Sequence, residues 1–109
     1  MKTKVFVYGT LRMGHPNHRV MQRAGGGFLG FESIKGYKKI EPPYLGYPFV
    51  IKTDNPEDTV EGEVYEVTDV EPLDTLEGYP TLYGKEEYSP GHFIYVAGPR
   101  LLREFKELV

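Results

Sequence analysis

Two short segments hold residues whose type and spacing could do chemistry. The first is Tyr8-Gly9-Thr10-Leu11-Arg12, which closes an apolar run. Gly lets a chain turn sharply, so the backbone N–H groups of Gly9, Thr10 and Leu11 could converge into an anion-binding nest. Arg12 would add a fork-shaped cation beside it. A plain structural turn is the other reading of the same residues. The second segment is Val70-Glu71-Pro72-Leu73-Asp74-Thr75-Leu76-Glu77-Gly78-Tyr79-Pro80. At about 100° per residue, Val70, Leu73 and Leu76 form an apolar stripe, and Glu77 falls within it. Glu77 is also the last residue before Gly78, a common helix stop. The negative end of the helix dipole and apolar neighbours both disfavour a charged carboxylate. Both would raise the pKa of Glu77 towards the range where a general acid/base works at neutral pH. The alternative is a frayed helix end whose carboxylate reaches solvent.

Other chemistries find little support. The chain has no Cys, so it offers no thiol nucleophile, disulfide or thiolate metal site. Neither Ser33 nor Ser89 sits in a G-x-S-x-G turn, which argues against a serine hydrolase. His15 and His18 are spaced as a metal pair could be, but no third ligand stands near them in sequence. They read more simply as polar residues at a helix start, and His92 as a turn residue. No metal and no cofactor is expected.

Charge is divided unevenly along the 109 residues. Residues 1–40 hold eight Lys/Arg and one acid, a net +7, and residues 54–77 hold ten acids and no base, a net −10. Such blocks either face partners or pair within one fold. The sequence pI of about 5.6 argues against nucleic-acid binding. No apolar run reaches the roughly 20 residues of a membrane helix, and the start does not read as a signal peptide. A cytoplasmic setting is expected, with a monomer or homodimer.

The length suits a single domain, residues 1–109, near the usual size of about 100–150 residues. Strands are expected at Val5 to Tyr8, Phe28 to Ile34, Tyr37 to Ile40, Tyr47 to Ile51, Val60 to Val67, Leu82 to Tyr88 and Phe93 to Val96. Within Val60 to Val67, Val60, Gly62 and Val64 share one face, and Glu61 and Glu63 the other, an alternation that suits a half-buried strand and lapses after Tyr65. Helices are expected from Asn17 to about Ala24, from Asp69 to Glu77, and from Pro99 through Leu101, Leu102, Phe105 and Leu108. Many short strands with irregular helices point to an α+β fold with a curled sheet or small barrel.

Together, Val5-Phe6-Val7-Tyr8-Gly9-Thr10-Leu11-Arg12, Gly62-Glu63-Val64-Tyr65 and Leu73-Asp74-Thr75-Leu76-Glu77-Gly78-Tyr79-Pro80 with Tyr83 resemble the γ-glutamylcyclotransferase-like, or AIG2-like, family. The match runs from about Val5 to Val96. Lys85 stands where Arg would be expected in many members. The resemblance implies a small mixed β-barrel with short helices packed around it. It implies a cavity floored by Tyr8, Gly9, Thr10 and Leu11, whose main chain would hold the α-carboxylate of a γ-glutamyl substrate. It implies Glu77 as catalytic acid/base and release of 5-oxoproline from a γ-glutamyl amine or peptide. Tyr83 becomes a candidate donor to the reacting carbonyl oxygen. Tyr8 would pack at the cavity base, and Tyr47-Pro48 could line its mouth.

That chemistry suits the composition. A γ-glutamyl group carries its own nucleophile, the α-amine, so ring closure is intramolecular. The protein then needs one carboxylate to move a proton and donors for the carbonyl oxygen. Two other readings stand beside it. One is a non-catalytic module that binds a small carboxylate in the same cavity. The other is an interaction domain that assembles through the +7 and −10 segments.

Overall fold

A computed structural model describes residues 3–9, 12–43 and 45–107. The elements follow in the order β1 (Thr3–Val7), α1 (His18–Arg23), β2 (Gly27–Lys35), β3 (Tyr37–Ile40), β4 (Phe49–Lys52), β5 (Thr59–Val67), α2 (Glu71–Glu77), β6 (Tyr83–Ser89), β7 (His92–Ala97) and α3 (Pro99–Glu104). All seven expected strands and all three helices appear, with ends moved by a few residues. Leu108 lies outside the described residues.

Five strands form one sheet in the order β2-β5-β1-β7-β6. The pairing of β1 with β7 is parallel, and the other pairs are antiparallel. Alternation along β1 sends Val5 and Val7 to one face and Phe6 and Tyr8 to the other, and both faces are covered. The first face takes Val20, Met21 and Ala24 of the α1 segment, Leu73 of α2 and Leu101 of α3. The second takes Tyr37 and Val50 from the hairpin of β3 and β4. At Gly62 a Cβ would lie 2.3 Å from the Val7 carbonyl oxygen and 2.8 Å from the Phe6 ring, so only glycine lets β5 lie this close to β1.

Among the described residues no closed barrel forms, contrary to expectation. A barrel needs every strand hydrogen-bonded on both sides, with a fixed tilt and stagger. Here β3 and β4, four residues each, use their ladder on one another and form a separate two-stranded sheet. They meet β5 and β7 by packing, and β2 and β6 stay as outer strands.

Three local expectations also change. Glu63 does not face solvent with Glu61; it is buried, because the chain beyond β1 crosses its face of the sheet and gives its carboxylate a donor at Met13. Leu76 is 37% exposed, so the buried stripe of α2 is carried by Leu73. Leu102 is exposed, and Leu101 anchors α3. Among the described residues no helix is long and apolar enough to cross a membrane.

Candidate functional site

The site begins where β1 ends. Val7, Tyr8 and Gly9 run out of the sheet into a cavity of about 250 Å³. Gly9 is not in the left-handed region, and a Cβ there would make ordinary contact with Pro48 at 3.5 Å. Arg12 is tied back to Gly9 by hydrogen bonds. Both the backbone N–H and the side-chain Nε–H of Arg12 donate to the Gly9 carbonyl, each at 3.1 Å. Arg12 therefore spends part of its guanidinium on its own loop. It lines a different hollow, with Phe31, Glu61 and Glu63, and is not part of the cavity wall. Thr10 and Leu11, the rest of the expected cradle, lie outside the described residues.

The short α2 helix brings the carboxylate. Gly78, at φ 63°, ends it in a left-handed cap. The Tyr79 N–H donates to the Asp74 carbonyl at 3.0 Å, and the Gly78 N–H to the Thr75 carbonyl at 3.2 Å. This closed cap holds the last turn, and Glu77 lines the same cavity as Tyr8 and Gly9. Burial raises its carboxyl from 4.5 to about 7. Glu77 is thus poised to hold or release a proton at neutral pH.

Tyrosines make up much of the remaining wall. Tyr83, at the start of β6, lines the cavity as expected. Its hydroxyl, however, donates to the Pro48 carbonyl at 2.6 Å. A phenol has one proton to give, so Tyr83 as it stands has none left for a reacting oxygen. Tyr8 is equally committed: it is buried and donates to the Tyr95 carbonyl at 2.6 Å. Burial is the main reason that both phenols titrate above their ordinary range. Tyr47 and Pro48 line the cavity too.

The sequence did not single out two further lining residues, Tyr95 and Asn17. Tyr95 is placed by the parallel pairing of β1 with β7, where Phe6 sits opposite Ile94. No local pattern signals that register. Asn17 was expected as a helix cap, yet it makes no side-chain capping bond. Its place directly before α1, close in sequence to the loop after β1, was the available signal.

The remaining candidates stay apart. The His18 ring packs near Tyr65, with centroids 5.7 Å apart, and His92 Nδ1 sits 2.9 Å from the Pro90 carbonyl. Neither lines the cavity. Among the described residues no three His, Asp or Glu side chains gather as metal ligands would. The arrangement is a half-open cavity whose wall mixes aromatic and aliphatic residues with one titratable carboxyl.

Residues 5–100 match the family described as Gamma-glutamyl cyclotransferase, AIG2-like. A Gamma-glutamylaminecyclotransferase of Homo sapiens is 35% identical over 85 residues, which cover 72% of this chain and 56% of the human protein. The crystal structure of an AIG2-like protein from Mus musculus superposes with a TM-score of 0.70 at 28% identity, covering 93% of this chain and 82% of the mouse chain. An uncharacterized protein from Pyrococcus horikoshii superposes with a TM-score of 0.66 at 32% identity, covering 88% of this chain and 78% of that one. The chain spans rather more than half the length of the mammalian relatives it matches.

Proposed function

Since the chain belongs to the Gamma-glutamyl cyclotransferase, AIG2-like family, we propose that it releases 5-oxoproline from a γ-glutamyl amine or peptide. The observation that carries this reading is Glu77: burial in the wall that Gly9 also lines brings its carboxyl to about 7. A group balanced there can take a proton and return it within one turnover.

The reaction needs no nucleophile from the protein. The substrate α-amine attacks the γ-amide carbonyl, and a five-membered lactam ring forms. Glu77, ionised at the start, takes the proton the α-amine gives up. The bond from the γ-carbon to the amide nitrogen then breaks, and Glu77 passes the proton to the departing amine. The products are 5-oxoproline and a free amine, and Glu77 is ionised again. Holding the γ-glutamyl chain folded supplies the largest share of the acceleration, because attack within one molecule replaces an encounter.

Binding of the α-carboxylate is assigned to the main chain of Gly9, Thr10 and Leu11. The same segment is the best source of N–H donors for the carbonyl oxygen, since Tyr83 and Tyr8 already donate to carbonyls of the protein. Tyr83 then acts as wall and packing surface for the substrate.

The test is direct. The protein is incubated with a panel of γ-glutamyl amines and peptides, and 5-oxoproline is measured. Release from at least one of them is expected. Folded protein that converts none, yet melts at a higher temperature with one of them present, would make the cavity a binding site only.

A further inference from the structure

Behind the cavity wall lies a cluster that the reaction does not use. Asp74 sits one turn before Glu77 on α2. The Lys85 ammonium, on β6, donates to both of its carboxylate oxygens, at 3.0 and 3.1 Å. The Tyr95 hydroxyl, on β7, donates to Asp74 Oδ1 at 2.5 Å. Lys85 Nζ also lies 4.6 Å from the ring centroid of Tyr79, just past the helix end. One carboxylate thus joins a helix to two strands.

This pair is not a surface ion pair. The Lys85 and Asp74 side chains are only 18% and 23% exposed, so their geometry is held and poorly screened. Asp74 is also bound through its backbone, since its carbonyl accepts the Tyr79 N–H of the helix cap. Tyr95 carries the connection into the cavity: it is one of the lining residues, and its carbonyl accepts the Tyr8 hydroxyl. α2 has only seven residues, and the side-chain bond at its start, from the Glu71 N–H to Asp69 Oδ1 at 3.0 Å, lies at the end away from Glu77. The Gly78 cap fixes the shape of the last turn, but a helix that short does not fix where the turn lies against the sheet.

We propose that Asp74, clamped by Lys85 and Tyr95, is a positioning residue that holds the last turn of α2, and with it Glu77, against the cavity. Its kinetic consequence rests on the reaction proposed above. Without the clamp the turn swings outward, water reaches Glu77, and the carboxyl moves away from the reacting nitrogen. A displacement of about 1 Å can cost about 10²-fold in rate.

Two readouts test it, one of them independent of turnover. The first is the titration midpoint of the Glu77 carboxyl, followed by carbon NMR. The titratable groups facing Glu77 are phenols: Tyr8 at the end of β1, Tyr47 before β4, Tyr83 on β6 and Tyr95 on β7. Phenols ordinarily ionise near about 10, so the carboxyl titrates alone around neutrality. In Tyr95→Phe, which keeps the ring and its packing, the midpoint should fall from about 7 by about one pH unit or more. Lys85→Met should move it in the same direction, and Lys85→Arg, which restores a donor fork, should keep it near the wild-type value. The second readout is kinetic: Tyr95→Phe should lower kcat about tenfold with KM within about twofold. If Tyr95→Phe and Lys85→Met both fold and both keep the wild-type midpoint, the clamp has no positioning role. If the wild-type chain releases no 5-oxoproline, the reaction is wrong, and the titration still decides the clamp.

Discussion

On the α2 side of the cavity, a single carboxylate, Asp74, is shared between β6 and β7 and ties Glu77's helix to both. On the β1 side, the loop beyond Gly9 meets the sheet through another carboxylate, Glu63, whose Oε1 accepts the Met13 N–H and the Tyr65 hydroxyl, each at 2.9 Å. The two fastenings differ in kind. Asp74 is neutralised by a lysine and grips side chains. Glu63 is the charged residue buried among the described ones, and it grips a backbone N–H of the loop. The division matches the proposed labour. Proton transfer needs a side chain held to a fraction of an ångström, whereas a carboxylate cradle needs backbone N–H groups held in a curve.

The hardest blow to the α2 side is Glu77→Gln. The amide keeps the shape of the acid and cannot move the proton. Release of 5-oxoproline should fall by about 10²–10⁴-fold, while the fold survives. Turnover within about tenfold of wild type would move the acid/base role elsewhere. In the wild-type chain, kcat should rise with pH and level off above about 7, because the ionised form starts the reaction.

The β1 side breaks more gently. Glu63→Ala leaves the Met13 N–H and the Tyr65 hydroxyl without their acceptor, a loss of about 1–3 kcal/mol in stability. If the loop's task is to bind, initial rates should show KM raised about tenfold and kcat within about twofold. Glu63→Gln keeps an acceptor oxygen and should recover most of the affinity. A fall in kcat at constant KM would erase the division between the two sides.

These contrasts bear on what could be read before the structure. For Glu77, a helical period and a glycine one residue later left wall and solvent equally open; the motif resemblance pointed to the cavity, which Glu77 does line. Gly9 and Tyr83 were legible through motif resemblance, and both line the cavity. Tyr95 was not, since its face depends on a parallel pairing of strands nearly ninety residues apart in the chain. Glu63 was misread because alternation along β5 reports two faces but not what covers them. Barrel closure was misread for a related reason. Each strand was legible alone, but whether the hairpin of β3 and β4 joins the larger sheet is settled by edges that sequence periodicity does not describe. Arg12 shows the limit at shortest range: a cation next to a supposed anion site turned back onto its own loop.

The smallest expected effect separates stability from activity on the α2 side. In the folded chain the Glu77 carboxyl sits at about 7, against 4.5 for its ordinary value. A raised acid binds its proton more tightly when folded, so it favours the folded state at low pH. That contribution is complete below about 4.5 and is lost as the pH climbs through about 7. Each pH unit of difference corresponds to about 1.4 kcal/mol, and the half-open cavity screens part of it, leaving about 2 kcal/mol. Glu77→Gln has no charge to bury. Urea titrations should therefore find it about 2 kcal/mol more stable than wild type at pH 8, with the margin closing towards pH 4.5. A constant margin across that range would mean that Glu77 titrates in the folded chain as it does in the unfolded one. The variant's margin over wild type would then be no larger at pH 8 than at acid pH, and burial would cost the ionised carboxyl nothing.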